Sequence, residues 1–206
     1  MNICVFASGA GTNFNAILNS IESGYLKSRV TLLVTNNTDS GSSVTAKKNN
    51  IGIFHTDKKS IQNLTEEEYC IKLLNVLKEN NTEFIVLSGY MQMVHSDIIK
   101  NYRNRIINIH PSLLPSFGGK GMYGLNVHKA VINAGVKVSG ITIHFVNESY
   151  DEGGIIFQKC TEVNENDNEF TLQEKVRKLE HEYYSYVIKK FEDGKVSVSG
   201  SRVTVK

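Results

Sequence analysis

Short apolar runs alternate with segments of helical periodicity through the first half of the chain. The apolar runs predict strands over 3–7, 30–35, 51–55, 84–88 and 106–109. Helices are predicted over 14–21, 43–48 and 95–102, and another begins at the Thr-Glu-Glu-Glu capping box of 65–68. Repetition of strand, helix and strand, with strands that are apolar throughout, predicts a parallel sheet covered by helices on both faces.

The second half of the chain carries a different pattern. Residues 140–145 alternate strictly between the two faces of a strand. The apolar face carries Ile141, Ile143 and Phe145, and the polar face carries Thr142 and His144. A polar turn over 147–154 and a strand over 155–163 then predict an antiparallel pair.

Two helices and a terminal hairpin complete the predicted elements. The helices span 126–134 and 171–191, and the apolar side of the longer one consists of Leu172, Val176, Leu179, Tyr183, Val187 and Phe191. The hairpin occupies 195–206 and turns at Gly200. We therefore predict an α/β protein with a Rossmann-like, mostly parallel sheet, antiparallel strands in the second half, and one domain over 1–206.

Composition narrows the possible classes of protein. The chain has 206 residues, enough to bury a core, and its 23 Lys and Arg against 21 Asp and Glu argue against a nucleic-acid surface. No apolar run approaches the ~18 residues that cross a bilayer, and the first residues lack a basic leader. Three cysteines in no C-x-x-C pair predict neither a disulfide framework nor a zinc site. We expect a cytoplasmic protein that binds neither nucleic acid nor membrane.

A glycine-rich loop follows the first predicted strand and opens the first helix. Its sequence, Ser-Gly-Ala-Gly-Thr-Asn over 8–13, suits an anion, because backbone N–H groups and the helix dipole point at the ligand. Phe14 stands where a dinucleotide fingerprint has its third glycine, and no Gly-Lys-Ser/Thr of a P-loop follows. A monophosphate is the expected ligand, with a simple strand-to-helix turn as the alternative.

Both prolines of the chain lie in one run, Asn-Ile-His-Pro-Ser-Leu-Leu-Pro over 108–115. Proline fixes φ, so this segment at a strand end is stiff. Asn108 and His110 are two residues apart and share a face of an extended segment. An amide that donates to an oxyanion and a neighbouring general acid or base suit attack on a carbonyl carbon.

Asp151 lies in the turn that follows the polar face of Thr142 and His144. A carboxylate beside a histidine orients its ring, although an Asp-Glu-Gly-Gly run is also an ordinary turn. His110, His144 and Asp151 match no standard metal spacing, so no metal is expected. The Gly-Gly-Lys-Gly run of 118–121 lacks the features of a phosphate loop and is interpreted as a lid.

Together, the 8–13 loop, the 108–115 run and the 140–146 strand followed by Asp151 resemble the folate-dependent formyltransferase family over residues 1–191. The resemblance implies the formyltransferase fold, with a phosphate-binding N-terminal half and a catalytic, folate-binding C-terminal half. It implies transfer of a formyl group from the co-substrate 10-formyltetrahydrofolate to the amine of 5'-phosphoribosylglycinamide in purine biosynthesis. A monomer or homodimer is expected.

The resemblance also implies a role for each matching residue. Asn108 polarises the formyl carbonyl, His110 is the general acid, and Asp151 tunes the pKa of His110. The ribonucleotide is held by Gly11, Thr12, Asn13, Arg177 and Glu180. The folate is held by Met91, Gln92, Met93, Val94, Asn108, Thr142, His144, Asn147, Glu148, Ser149, Tyr150 and Asp151. The family often has a basic residue after Met91, where this chain has Gln92. Acids around 65–68 also replace the basic residue that often serves the folate tail, which leaves Lys58 or Lys59 as candidates for that tail.

Three other functions compete with this one. The same site can hydrolyse 10-formyltetrahydrofolate with water as the acceptor, although water needs no phosphate loop. Formylation of a tRNA is disfavoured by the small net charge. A non-catalytic sensor of a phosphorylated metabolite is disfavoured by the presence of Asn108, His110 and Asp151.

Overall fold

A computed structural model describes residues 1–200 and 202–206. The strands are β1 (Asn2–Phe6), β2 (Arg29–Thr35), β3 (Gly52–His55), β4 (Phe84–Leu87), β5 (Ile106–His110), β6 (Val138–Phe145), β7 (Ile155–Glu162), β8 (Val196–Ser199) and β9 (Arg202–Val205). The helices are α1 (Thr12–Glu22), α2 (Gly41–Lys48), α3 (Lys58–Ile61), α4 (Glu66–Glu79), α5 (Ser96–Asn101), α6 (Leu125–Ala134) and α7 (Glu169–Glu192).

Within the described residues, seven strands hydrogen-bond in the order β3-β2-β1-β4-β5-β6-β7. β1 pairs in parallel with β2 and β4, and β2 pairs in parallel with β3, whereas β6 and β7 are antiparallel. The predicted α/β class, with a mostly parallel sheet and a later antiparallel pair, is therefore confirmed. The chain divides into two compact units, Met1–Ile107 and Asn108–Lys206. A single domain over 1–206 stays a prediction.

The first unit is built on apolar strands. β4 is buried along its whole length and β1 from Ile3 onward, as expected of strands covered on both faces. Thr65 and Glu68 form the predicted capping box at the start of α4, whose buried residues are Cys70, Leu73 and Leu77. α3 was not predicted, because it is four residues long and carries no buried side chain.

The second unit packs α7 against β6 and β7. The buried residues of α7 are Leu172, Val176, Tyr184, Ser185, Val187 and Ile188. Of the apolar side predicted for this helix, Leu172, Val176 and Val187 are buried, whereas Tyr183 is half-buried beside the fully buried Tyr184, which the prediction did not include. Tyr183 instead stacks on Phe157 with ring centroids 5.1 Å apart. A helix with apolar side chains on neighbouring faces admits more than one stripe, and contact with the sheet selects the stripe that is buried.

Close backbone approach explains one glycine of the antiparallel pair. A Cβ atom on Gly140 of β6 would lie 2.0 Å from the carbonyl oxygen of Lys159 on β7. β8 and β9 pair antiparallel at the C-terminal end, and Ser201 of the predicted turn lies outside the described residues. Within 1–200 and 202–206, no helix has the length and apolar character needed to cross a membrane.

Candidate active site

Asn108 and His110 lie at the end of β5, where the second unit begins. Asn108 is half-buried, while His110 is only 4% exposed. The strand places both side chains on one face, as the two-residue spacing predicted. Of the two, His110 therefore has little access to water.

The structure brings Asp151 to His110. Nδ1 of His110 and Oδ2 of Asp151 are 3.5 Å apart, and both side chains are largely buried. Asp151 adopts the left-handed region with φ +57°, which aspartate tolerates better than most residues with a Cβ atom. A carboxylate at this distance orients the imidazole ring.

A turn at 117–119 contacts both of these catalytic candidates through its backbone. Nε2 of His110 donates to the carbonyl oxygen of Phe117 at 2.8 Å, so this nitrogen carries a proton. The N–H of Gly119 donates to Oδ2 of Asp151 at 2.8 Å. A Cβ atom on Gly118 would lie 2.4 Å from Cδ2 of Leu114, so a side chain there would require Leu114 to move.

Nothing in the sequence pointed to these backbone contacts. Phe117 has φ +56°, a conformation that its residue type does not indicate. The interpretation of 118–121 as a lid therefore missed the direct partnership of 117–119 with His110 and Asp151.

The proline-containing run is fastened to β6 by the hydroxyl of Thr142. This buried hydroxyl accepts the backbone N–H of Leu114 at 2.9 Å and donates to the carbonyl oxygen of Ser112 at 2.7 Å. Nε2 of Gln158 donates to the Leu114 carbonyl oxygen and to the Thr142 hydroxyl, each at 3.0 Å. Gln158 is the cross-strand partner of Thr142. The predicted pairing of these two strands could therefore have indicated Gln158, which the sequence analysis missed.

His144 lies beside Asn108 on the polar face of β6. Its Nε2 is 3.1 Å from Nδ2 of Asn108 and 3.6 Å from Oδ1 of Asp151, and its Nδ1 is 2.8 Å from the carbonyl oxygen of Phe145. Burial lowers the pKa of His144 below its ordinary value. The polar face predicted for β6 is thus buried against the catalytic candidates.

The candidate ribonucleotide residues Arg177 and Glu180 lie one turn apart on α7. The guanidinium of Arg177 donates to Glu174 at 2.6 Å and to Gln173 at 3.2 Å. Its charge also acts on His128 of α6, which is 2% exposed. Burial, the charge of Arg177 and that of His110 lower the pKa of His128 to about 4.

His128 is expected to make the protein sensitive to acid. Its folded pKa lies below the unfolded value of 6.5, so the unfolded chain binds the proton better and stability falls as the pH drops from 6.5 towards about 4. Between pH 7 and pH 5 the loss from this residue is about 2 kcal/mol. Urea denaturation should show His128→Leu losing about 2 kcal/mol less than the wild type over that interval. Equal losses of stability in the wild type and in His128→Leu would contradict the lowered pKa of His128.

The glycine loop of the first unit ends in a helix N-terminus. Gly11 is the N-cap of α1, with φ +74° and no side chain to cap the helix. A Cβ atom there would lie 2.7 Å from Oγ of Ser42, and that hydroxyl donates to the carbonyl oxygen of Gly9 at 3.1 Å. The N-terminus of α1, at Thr12 and Asn13, presents backbone N–H groups and the positive end of the helix dipole, which suit an anion.

The segment 91–94 also lies in the first unit. The backbone N–H of Met91 donates to the hydroxyl of Ser8 at 3.1 Å. Oε1 of Gln92 accepts from the hydroxyls of Tyr90 at 3.1 Å and Thr56 at 3.4 Å. Met91 and Met93 are about half exposed, as expected for apolar side chains that contact a ligand, whereas Val94 is buried. The other folate candidates, 147–150, are half-buried or exposed in the second unit.

Among the described residues, one side-chain cluster has the donor atoms of a metal site. Cys70, His95 and Asp97 offer ligand atoms within 4.8 Å of one another. His95 caps α5, and its Nδ1 accepts the backbone N–H of Asp97 at 3.1 Å. The proton of the neutral ring then lies on Nε2, which faces Glu66 at 3.6 Å. The cap that His95 makes on α5 accounts for the position of its ring in this cluster. The expected lack of a metal stays a prediction.

Comparison with known proteins gives a consistent result. A family model described as formyl transferase matches residues 1–188. The phosphoribosylglycinamide formyltransferase of Bacillus subtilis is 38% identical over 185 residues, which cover 90% of this chain and 91% of that protein. The chloroplastic phosphoribosylglycinamide formyltransferase of Arabidopsis thaliana is 39% identical over 90% of this chain, which spans only 63% of the plant protein.

A solved structure supports the same conclusion. Glycinamide ribonucleotide transformylase 1 from Symbiobacterium toebii has a TM-score of 0.90 and 32% identity, over 100% of this chain and 93% of that chain. The predicted resemblance is thus confirmed over nearly the whole length. The chain belongs to the formyl transferase family.

Proposed function

We propose that this chain transfers a formyl group from 10-formyltetrahydrofolate to the amine of 5'-phosphoribosylglycinamide. The observation that carries the proposal is the contact between His110 and Asp151, with Asn108 on the same strand as His110. These are the groups that attack on a formyl carbon requires. The names of the Bacillus and Arabidopsis relatives support this choice of acceptor.

In the proposed reaction the amine nitrogen of the ribonucleotide forms a bond to the formyl carbon. Nδ2 of Asn108 donates to the oxygen as it gains negative charge, a contribution of about 10²- to 10³-fold in rate. The tetrahedral intermediate then collapses by breaking the bond between the formyl carbon and N10 of the folate. His110 gives N10 a proton, and the attacking amine loses one to water, so that the number of protons is conserved.

The protonated Nε2 of His110 is the nitrogen that faces away from Asp151. In this structure it donates to the carbonyl oxygen of Phe117. This hydrogen bond must break before Nε2 can give its proton to N10 of the folate. Asp151 holds the other nitrogen and stabilises the charged ring. No metal takes part in these steps.

The remaining candidates bind the two substrates. Gly11, Thr12 and Asn13 hold the ribose phosphate, while Arg177 and Glu180 hold the glycinamide end. His144, the turn over 147–151 and the segment 91–94 contact the folate, while the fully buried Thr142 supports this end by holding the backbone of Ser112 and Leu114. Gln92 supplies a neutral side chain where the family often has a basic one, and its oxygen accepts from two hydroxyls. A cytoplasmic location and the oligomeric state stay predictions.

A spectroscopic assay tests the proposed function. The purified chain is mixed with 10-formyltetrahydrofolate, with and without the ribonucleotide, and loss of the formyl-folate is followed by absorbance. Loss that requires the ribonucleotide, together with formation of its formylated product, is the expected result. Equal loss in both mixtures would indicate hydrolysis, and the absence of loss in both would indicate a non-catalytic protein.

Substitution of Gly11 is expected to weaken the ribonucleotide specifically. A side chain at φ +74° is strained and meets Ser42, so Gly11→Val distorts the first N–H groups of α1. We expect KM for the ribonucleotide to rise at least about tenfold while KM for the folate changes less than about twofold. Steady-state kinetics with each substrate varied in turn gives both constants. A defect confined to the folate would contradict the assignment of this loop.

A further inference from the structure

His144 has one proton position that its surroundings permit. Its Nδ1 is 2.8 Å from the carbonyl oxygen of Phe145, and a carbonyl oxygen only accepts hydrogen bonds. Nδ1 therefore carries the hydrogen. His144 is 2% exposed, and burial favours the neutral ring, so Nε2 holds a lone pair.

That lone pair faces the side chain of Asn108. Nδ2 of Asn108 is 3.1 Å from Nε2 of His144 and donates one of its two hydrogens to it. Asp151 Oδ1 lies 3.6 Å from the same nitrogen, beyond the length of a hydrogen bond. His144 thus presents an acceptor, and the nitrogen of the Asn108 amide must be turned towards it.

The direction of this amide decides what Asn108 offers to a substrate. With one Nδ2 hydrogen given to His144, the second remains available to a developing oxyanion. If Nε2 of His144 carried a proton, the amide would flip and Oδ1 would replace Nδ2. An amide oxygen has no hydrogen to donate and repels a negative charge.

We propose that His144 is a positioning residue that fixes the Asn108 amide with its NH₂ group available to the oxyanion. The proposal rests on the proposed function, because it gives the acceptor on His144 a purpose in formyl transfer. It assigns His144 a role through Asn108 in addition to contact with the folate.

Two substitutions of His144 distinguish the roles of its two ring nitrogens. The side-chain amide of His144→Asn reaches only the position of Nδ1, so it can donate to Phe145 and leaves Asn108 without an acceptor. The longer amide of His144→Gln reaches the position of Nε2, where its oxygen accepts from Asn108. We expect kcat to fall about 10- to 10²-fold in His144→Asn and less than about tenfold in His144→Gln, with KM for the ribonucleotide nearly unchanged.

A double-mutant cycle distinguishes positioning from a structural role. Asn108→Ala alone is expected to lower kcat about 10²- to 10³-fold. If His144 acts through Asn108, adding His144→Asn to Asn108→Ala lowers kcat no further. Multiplicative losses in the double variant would overturn the proposal.

Nitrogen NMR of the wild type tests the same point without a variant that must fold. The ¹⁵N shifts of His144, assigned by through-bond correlation with its backbone signals, should show a protonated Nδ1 and an unprotonated Nε2 at neutral pH. A protonated Nε2 would overturn the proposal. A wild type that transfers no formyl group would instead refute the proposed function, and the NMR result would still decide how Asn108 is oriented.

Discussion

Replacement of Asp151 by asparagine is expected to lower kcat about 10²- to 10⁴-fold while the protein stays folded. The carboxylate lies 3.5 Å from Nδ1 of His110, and a neutral amide there no longer stabilises the charged ring that delivers the proton. Asparagine accepts φ +57° as readily as aspartate, so the turn keeps its backbone conformation. The rate is measured by loss of formyl-folate at saturating concentrations of both substrates.

Asp151→Ala serves as the comparison for this prediction. Alanine also removes the charge but is less tolerant of the left-handed conformation, so it should lose both activity and stability. Urea denaturation should place Asp151→Asn within about 1 kcal/mol of the wild type. If Asp151→Asn retains kcat within tenfold of the wild type, Asp151 does not have the proposed role.

Gly153→Ala is expected to cause the largest loss of stability, about 3 kcal/mol or more. A Cβ atom at this position would lie 1.8 Å from the carbonyl oxygen of Phe145, and backbone cannot move aside as a flexible side chain can. The neighbouring hydrogen bond from the Phe145 N–H to the Gly154 carbonyl oxygen, 2.9 Å long, holds the two segments together. Urea denaturation measures the free energy of unfolding.

Gly52→Ala is the matched control for this substitution. Gly52 lies in β3, has no positive φ, and its added Cβ atom would meet neighbours only at 3.5 Å or more. Its substitution should change the free energy of unfolding by less than about 1 kcal/mol. Comparable losses in both variants would show that the close approach of Gly153 to Phe145 is not the cause.

Sequence periodicity was sufficient for the framework of the fold. The strands of the first unit are short, continuous and apolar, and Thr65 with Glu68 marks the start of α4 by a specific pair of hydrogen bonds. Such signals are local, so each segment carries them independently of its partners. Tyr184 shows the limit, because the choice between adjacent apolar stripes on α7 depends on the surface that the helix meets.

The side-chain chemistry of the site was predictable, whereas its backbone chemistry was not. Asn108 and His110 were indicated by residue type and by their position at the end of a strand, whereas the role of Asp151 was assigned through the family resemblance. The carbonyl oxygen of Phe117 and the N–H of Gly119 are present in every peptide and become partners only through the path of the chain. The tautomer of His144 follows from such a carbonyl as well.

The hydroxyl of Thr142 changes how the proline-containing run should be regarded. It ties the backbone of Ser112 and Leu114 to the middle of β6, which Gln158 of β7 reinforces from the next strand. The segment has the backbone conformation of a loop, but these hydrogen bonds attach it to the sheet. It should open with the cooperative unit formed by β6 and β7 rather than with surface loops. A fluctuation that does not separate these two strands should therefore leave His110 in contact with its partners.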